Sequence, residues 1–139
     1  MGKHIRKRFG HDPDGNQPVP TVIAIKATVA RDAGLPIFRM TDHCRKRTFS
    51  RPRQIAMYLA CELTWHSYPA IARMFGGRDH TTILHAHRVV RERMEADPEI
   101  EMRVNRLARI LLEQATERAP VAPVVVLSTP YLDHFEATA

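Results

Sequence analysis

The stretch Gly76-Gly77-Arg78-Asp79-His80-Thr81-Thr82 constrains the fold more than any other part of the chain. Just before it, Ile71, Ala72 and Phe75 fall on one face at helical spacing. Ser67 stands where it can cap that helix, and Pro69 falls in the first turn, where a missing N–H costs nothing. Gly76 can take the left-handed conformation that closes a helix, and Gly77 allows a sharp change of direction. Asp79 then suits the N-cap of a second helix, because its carboxylate accepts orphan N–H groups and meets the positive end of the helix dipole. Two short helices joined by a glycine-containing turn make a helix-turn-helix. The first turn of its second helix carries Asp79, His80, Thr81 and Thr82. These are compact hydrogen-bonding side chains of the kind that reach base edges in a major groove.

A longer pattern surrounds this motif. Arg51-Pro52-Arg53-Gln54-Ile55-Ala56-Met57-Tyr58-Leu59-Ala60 precedes it, Glu62-Leu63-Thr64 and Ser67-Tyr68-Pro69-Ala70-Ile71 follow, and the motif runs on into Ile83-Leu84-His85-Ala86. Over Arg51 to Val90 the sequence resembles the C-terminal DNA-binding domain of the bacterial replication initiator DnaA, and with weaker flanks the resemblance covers residues 21–115. It implies an all-α fold, a helix-turn-helix bundle of five to six helices similar to that domain and to the Trp repressor. It also implies a division of labour. Arg45, six residues before the Arg51 run, would enter a minor groove. The corner at Tyr68 and Pro69 would touch thymine methyls, and Asp79, His80, Thr81 and Thr82 would read the major groove. Arg47, Arg53, Gln54, Arg78 and Arg88 would hold phosphates. Two positions depart from the family's pattern: Cys61 stands where members often carry a lysine, and Tyr68 where an aliphatic residue is preferred.

The remaining segments fit around this centre. Residues 1–20 are basic and spaced with glycine and proline, which reads as a flexible arm. Val22, Ile25, Val29 and Ala33 predict an amphipathic helix over residues 21–33, stopped by Gly34. Leu35 to Phe38 reads as a single helical turn. Residues 39–53 carry six cations against the one acid Asp42, directly ahead of the motif, where phosphates would have to pass. A guanidinium is favoured in a narrow A·T minor groove because negative potential concentrates there. A helix over residues 51–65 is expected next, capped by Ser50 or Arg51, with Pro52 in its first turn and Ile55, Ala56, Leu59 and Leu63 inward. Trp65, in the connection that follows, reads as a packing residue.

The recognition helix is expected from His80 to about Glu95, with Ile83, His87, Val90 and Met94 as its core stripe and His87 as a satisfied core histidine. Asp97-Pro98-Glu99 starts a last helix to about Thr116. The domain is thus expected over residues 21–117. Residues 118–139, rich in proline, read as a disordered tail, and Val124-Val125-Val126-Leu127 is its one apolar run, a segment that could dock on a protein partner.

Charge and composition narrow the function. A net charge of +6 and a pI near 9.9 favour polyanionic partners, nucleic acid first. Cys44 and Cys61 make no Cys-x-x-Cys pair and read as reduced thiols. The N-terminus has no apolar stretch of the signal-peptide kind, and no apolar run could span a bilayer, so a cytoplasmic, nucleoid-associated protein is expected. His85 and His87 stand about 200° apart on a helix at roughly 100° per residue, so they cannot clamp one metal ion. No His-Glu-x-x-His motif and no phosphate-cradling Gly-x-x-x-x-Gly-Lys-Ser/Thr loop occurs. No cofactor, metal, nucleotide or catalysis is therefore expected. The reading is a sequence-specific binder of double-stranded DNA, selecting an A·T-rich box and regulating replication or transcription. The alternative is a protein-docking module on replication or transcription machinery, built on the same scaffold.

Overall fold

The run Ile55–Leu63 holds a single charged residue, Glu62, and a helix that is apolar on nearly every side belongs in the middle of a domain. That is where it lies. In the computed structural model, which describes residues 18–118, five α-helices and one 3-10 turn pack around this segment, with no strand among the described residues. The elements are α1 (Val22–Ala33), a 3-10 helix (Ile37–Met40), α2 (Arg47–Leu63), α3 (Tyr68–Met74), α4 (His80–Ala96) and α5 (Pro98–Arg118). Helix α2 touches every one of the others. The core is a single cluster in which Ile25, Val29, Met40, Leu59, Leu63, Ile71, Phe75, Ile83, Val90, Leu107 and Leu111 are all buried. The all-α expectation holds. Most of the arm at residues 1–20 and the tail after residue 118, with the apolar run at 124–127, lie outside the described residues.

Local signals set most boundaries. Thr21 caps α1 by accepting from the Ala24 N–H at 3.1 Å, and Gly34 closes it in the left-handed region. Ser67 accepts from Ala70 N–H at 3.3 Å to open α3. Asp79 accepts from Thr81 N–H at 3.3 Å to open α4. Helix α2 differs from expectation. It starts at Arg47, not at Arg51, with Lys46 at the cap position and no side-chain capping bond. The N–H groups of Phe49 and Ser50 donate to the Lys46 carbonyl at 2.9 and 2.8 Å, so the first turn is already helical there. Pro52 consequently lies in the second turn, where it leaves the carbonyl of exposed Thr48 without its helical donor. Cys61 is 4% exposed, so its sulfur is part of the core. Trp65 lines a cleft with Val22, Ile23 and Met74.

His87 is the satisfied core histidine its place on the stripe suggests. Its Nε2 lies 2.9 Å from Glu62 Oε2, and its ring stacks on Tyr58 with centroids 4.9 Å apart. This polar contact joins α2 to α4 inside an apolar interface. Replacing Glu62 with Ala strands the buried imidazole, and the expected loss is about 1–3 kcal/mol, the usual cost of an unsatisfied buried polar group. Urea denaturation monitored by circular dichroism measures it.

Candidate nucleic-acid interface

Three segments meet along one side of the molecule: the loop between the 3-10 helix and α2, the N-terminal half of α2, and the first turns of α4. Between them runs a cleft of about 550 Å³, lined among others by Arg45, Gln54, Arg78 and Thr82, with Cys44 and His85 also in its wall. It brings together residues that the sequence assigns to the minor groove, the phosphates and the major groove. Arg45 is exposed and Thr82 half-buried. Gln54 Oε1 is buried without a hydrogen-bond partner. The other expected readers stand outside the cleft wall, at the starts of α3 and α4. Pro69 is exposed in the first turn of α3, and His80 and Thr81 are exposed at the start of α4.

Asp79 is engaged twice. Its Oδ1 caps α4 through Thr81 N–H and lies 3.0 Å from His80 Nδ1. The first turn of α4 therefore offers an imidazole at position 80 and a hydroxyl with a methyl at 81 and at 82.

Of the residues expected on phosphates, Arg47 and Arg88 are exposed, and Arg88 Nη2 lies 3.2 Å from His85 Nδ1. Arg53 stands differently. Its side chain is only 5% exposed. Nε and Nη2 donate to the Arg39 carbonyl at 3.0 and 2.8 Å, Nη1 to the Cys44 carbonyl at 3.1 Å, and Nη2 also to Asp42 Oδ1 at 2.6 Å. Four of its five donors thus meet partners inside the protein, which makes it a strut for the loop, while it also stands in the cleft wall. Arg78 shares that work in part. Its Nε donates to the Phe75 carbonyl at 2.8 Å and its Nη2 to the Asp42 carbonyl, while it remains in the cleft wall. Burial lowers the pKa of both guanidiniums, and both stay charged because the starting value is so high.

Asp42, the lone acid of the basic stretch, is the residue sequence reasoning passed over. The hydrogen bond from Arg39 holds its carboxyl below the ordinary 3.8, with Cys44 N–H and the charges of Arg53 and Arg39 adding to the effect against desolvation. Its contribution to stability is thus present above the ordinary carboxylate value and is lost as pH falls through the lowered one. A single acid amid six cations was the available signal. Arg93 was also missed. Burial, then the nearby charges of Arg51 and Arg47, lower its pKa, which marks a patch of crowded positive charge where α2 begins and α4 ends.

Comparison with known proteins agrees with this architecture. Residues 22–90 match the bacterial DnaA protein helix-turn-helix family. The chain is 43% identical over 104 residues to the chromosomal replication initiator protein DnaA of Sphingopyxis alaskensis, a match covering 75% of this chain and 23% of that protein. It thus spans about a quarter of the length of this curated relative. A crystal structure of a DNA replication initiation factor superposes with a TM-score of 0.62 at 29% identity, over 68% of this chain and 29% of that one. No helix of the described residues is long and apolar enough to cross a membrane. With its glycine turn, its capped second helix and the flanking helices in place, the chain belongs through residues 22–90 to the DnaA helix-turn-helix family.

Proposed function

We propose that this protein reads double-stranded DNA at an A·T-rich box, acting on the nucleoid as a regulator of replication or transcription. Helix α4 enters the major groove with His80, Thr81 and Thr82 leading and Asp79 at its base, and Pro69 touches a thymine methyl. Arg45 enters the adjacent minor groove. Arg47, Arg88, Gln54 and the outer edge of Arg78 hold phosphates. The observation that carries this reading is the cleft whose wall Arg45 shares with Gln54, Arg78 and Thr82 at the start of α4. A phosphodiester strand between two grooves needs such a track. No nucleotide or metal enters the mechanism.

The test is fluorescence anisotropy on a DnaA-type box and on a scrambled duplex at one fixed salt concentration. The box is expected to bind at least about tenfold tighter, a gap that a few base contacts supply. Equal binding would refute the reading.

Salt separates the cations. Replacing Arg47 with Ala should weaken binding to all sequences alike and flatten the log–log salt slope by about 0.9, one phosphate's worth of counterion release. Arg53→Ala should instead lower the unfolding free energy, since the guanidinium holds loop carbonyls. A salt titration alongside denaturation distinguishes the two roles.

A further inference from the structure

The loop that carries Arg45 is tied down from two sides. On one side Arg53 of α2 grips it by the carbonyls of Arg39 and Cys44 and by the carboxylate of Asp42. On the other, the turn between α3 and α4 reaches it twice. Arg78 donates to the Asp42 carbonyl, and Gly76 lies so close to the Thr41 carbonyl that a Cβ there would stand 2.3 Å from its oxygen. Asp42 joins these ties. Its Oδ1 accepts from Arg53 Nη2 at 2.6 Å and from Cys44 N–H at 3.2 Å, and its Oδ2 accepts from Arg39 Nη1 at 2.8 Å.

We infer that Asp42, through Arg53 and the Cys44 amide, is a positioning residue for DNA reading: it sets Arg45 at a defined place relative to the first turn of α4, so that selectivity in the minor groove depends on a side-chain acceptor that touches no base. The inference rests on the DNA reading proposed above. Arg45 follows Cys44, whose amide and carbonyl are both held, and only Lys46 separates it from the start of α2. A residue adds at most about 3.6 Å of reach, so the Arg45 backbone has little room to wander. A loop ordered before binding spares the cost of ordering it on the DNA. A surface ion pair alone would contribute little, but here one carboxylate, the three guanidiniums of Arg39, Arg53 and Arg78, and the three carbonyls of Arg39, Asp42 and Cys44 fix the spacing between two reading elements. Asp42 thereby ties Arg39 and Arg53 to the loop that presents Arg45.

The experiment uses the full chain and three duplexes: the box, the box with G·C replacing A·T at the minor-groove end, and the box altered at the base pairs facing Thr82. The wild type is expected to separate the first two by about fivefold or more. Asp42→Ala should lose as much of that ratio as Arg45→Ala does, and the double variant should lose no more, because the two residues act as one unit. Discrimination at the third duplex should survive in each. Asp42→Asn, whose amide oxygen can still accept from Arg53 and Cys44 N–H, should restore the ratio to within about twofold of wild type. Arg53→Lys keeps the charge but not the planar fork, and it should lose the ratio as Asp42→Ala does. It serves as the deciding variant should Asp42→Ala fail to fold. A folded Asp42→Ala or Arg53→Lys protein with the wild-type ratio overturns the inference, as do losses that add in the double variant. A wild type that makes no distinction among duplexes fails at the DNA reading itself, and the inference falls with it.

Discussion

Gly76→Ala is expected to cost about 2–5 kcal/mol and to disrupt the helix-turn-helix, whereas Gly77→Ala next to it costs about 1–2 kcal/mol. Both glycines have positive φ, +92° and +72°, so each substitution bears the left-handed penalty of an L-residue, about 1–2 kcal/mol. Only Gly76 has a second problem. A Cβ built on it would sit 2.3 Å from the Thr41 carbonyl oxygen and 3.3 Å from its carbon, while one on Gly77 would meet nothing within 4 Å. Forced overlap in a packed interior costs typically a further 1–3 kcal/mol. The obstacle is backbone, and that backbone is pinned by Arg53 and Arg78, so it cannot give way cheaply. In thermal melts the two variants should separate widely, since about 1 kcal/mol moves the midpoint of a domain this size by roughly 4–8 °C. Equal losses in the two variants would mean that the turn and the loop do not meet as described.

That contact spans 35 residues of sequence from Thr41 to Gly76, and it illustrates what was legible in the chain and what was not. The need for two flexible residues before Asp79 could be read from the motif alone, because helix closure is local chemistry. So could the caps Ser67 and Asp79, each of which satisfies an N–H two or three residues away. The central position of α2 was half legible: Ile55, Ala56, Leu59 and Leu63 read as one inward face, and the packing buries Met57, Tyr58, Ala60 and Cys61 as well. The start of α2 did not follow, because Lys46 at its cap position makes no side-chain capping bond, while Ser50 and Pro52 read as a cap and a first-turn residue when only neighbours are considered.

Arg53 marks the same boundary within the site. An arginine in a basic run looks like an exposed cation, and what buries it is an acid 11 residues earlier together with carbonyls of the 3-10 helix and of the loop after it. Nothing in the spacing announces those partners. The first turn of α4, by contrast, was legible because the cap that orients it and the side chains it presents are adjacent in sequence. The convergence of Arg45 and Thr82 on one cleft lay between these cases: the resemblance paired them, and tertiary packing had to bring them together.

The double replacement His80→Ala and Thr82→Ala should abolish preference for the box while leaving affinity for random duplex nearly unchanged. The two side chains lie on one turn of α4, and His80 is more than half exposed, so they reach neighbouring bases and carry little of the fold. Each good base contact provides about 1–3 kcal/mol of discrimination, so losing two removes roughly 2–6 kcal/mol, enough to erase a preference of tenfold or far more. Random-duplex affinity comes chiefly from phosphate contacts by other residues, which remain. Asp79→Ala would be a poorer probe, because the same carboxylate caps α4 and meets His80, and a lost cap alone costs about 1 kcal/mol of stability. The double variant avoids this, since the Asp79–Thr81 capping bond uses neither replaced side chain. Circular dichroism and a melt establish that it folds, and anisotropy on box and scrambled duplexes at one salt concentration then gives the ratio. A folded double variant with the wild-type ratio would move base reading away from the first turn of α4. A parallel fall on both duplexes would assign His80 and Thr82 to the backbone instead, leaving Arg45 as the sequence-reading contact to test next.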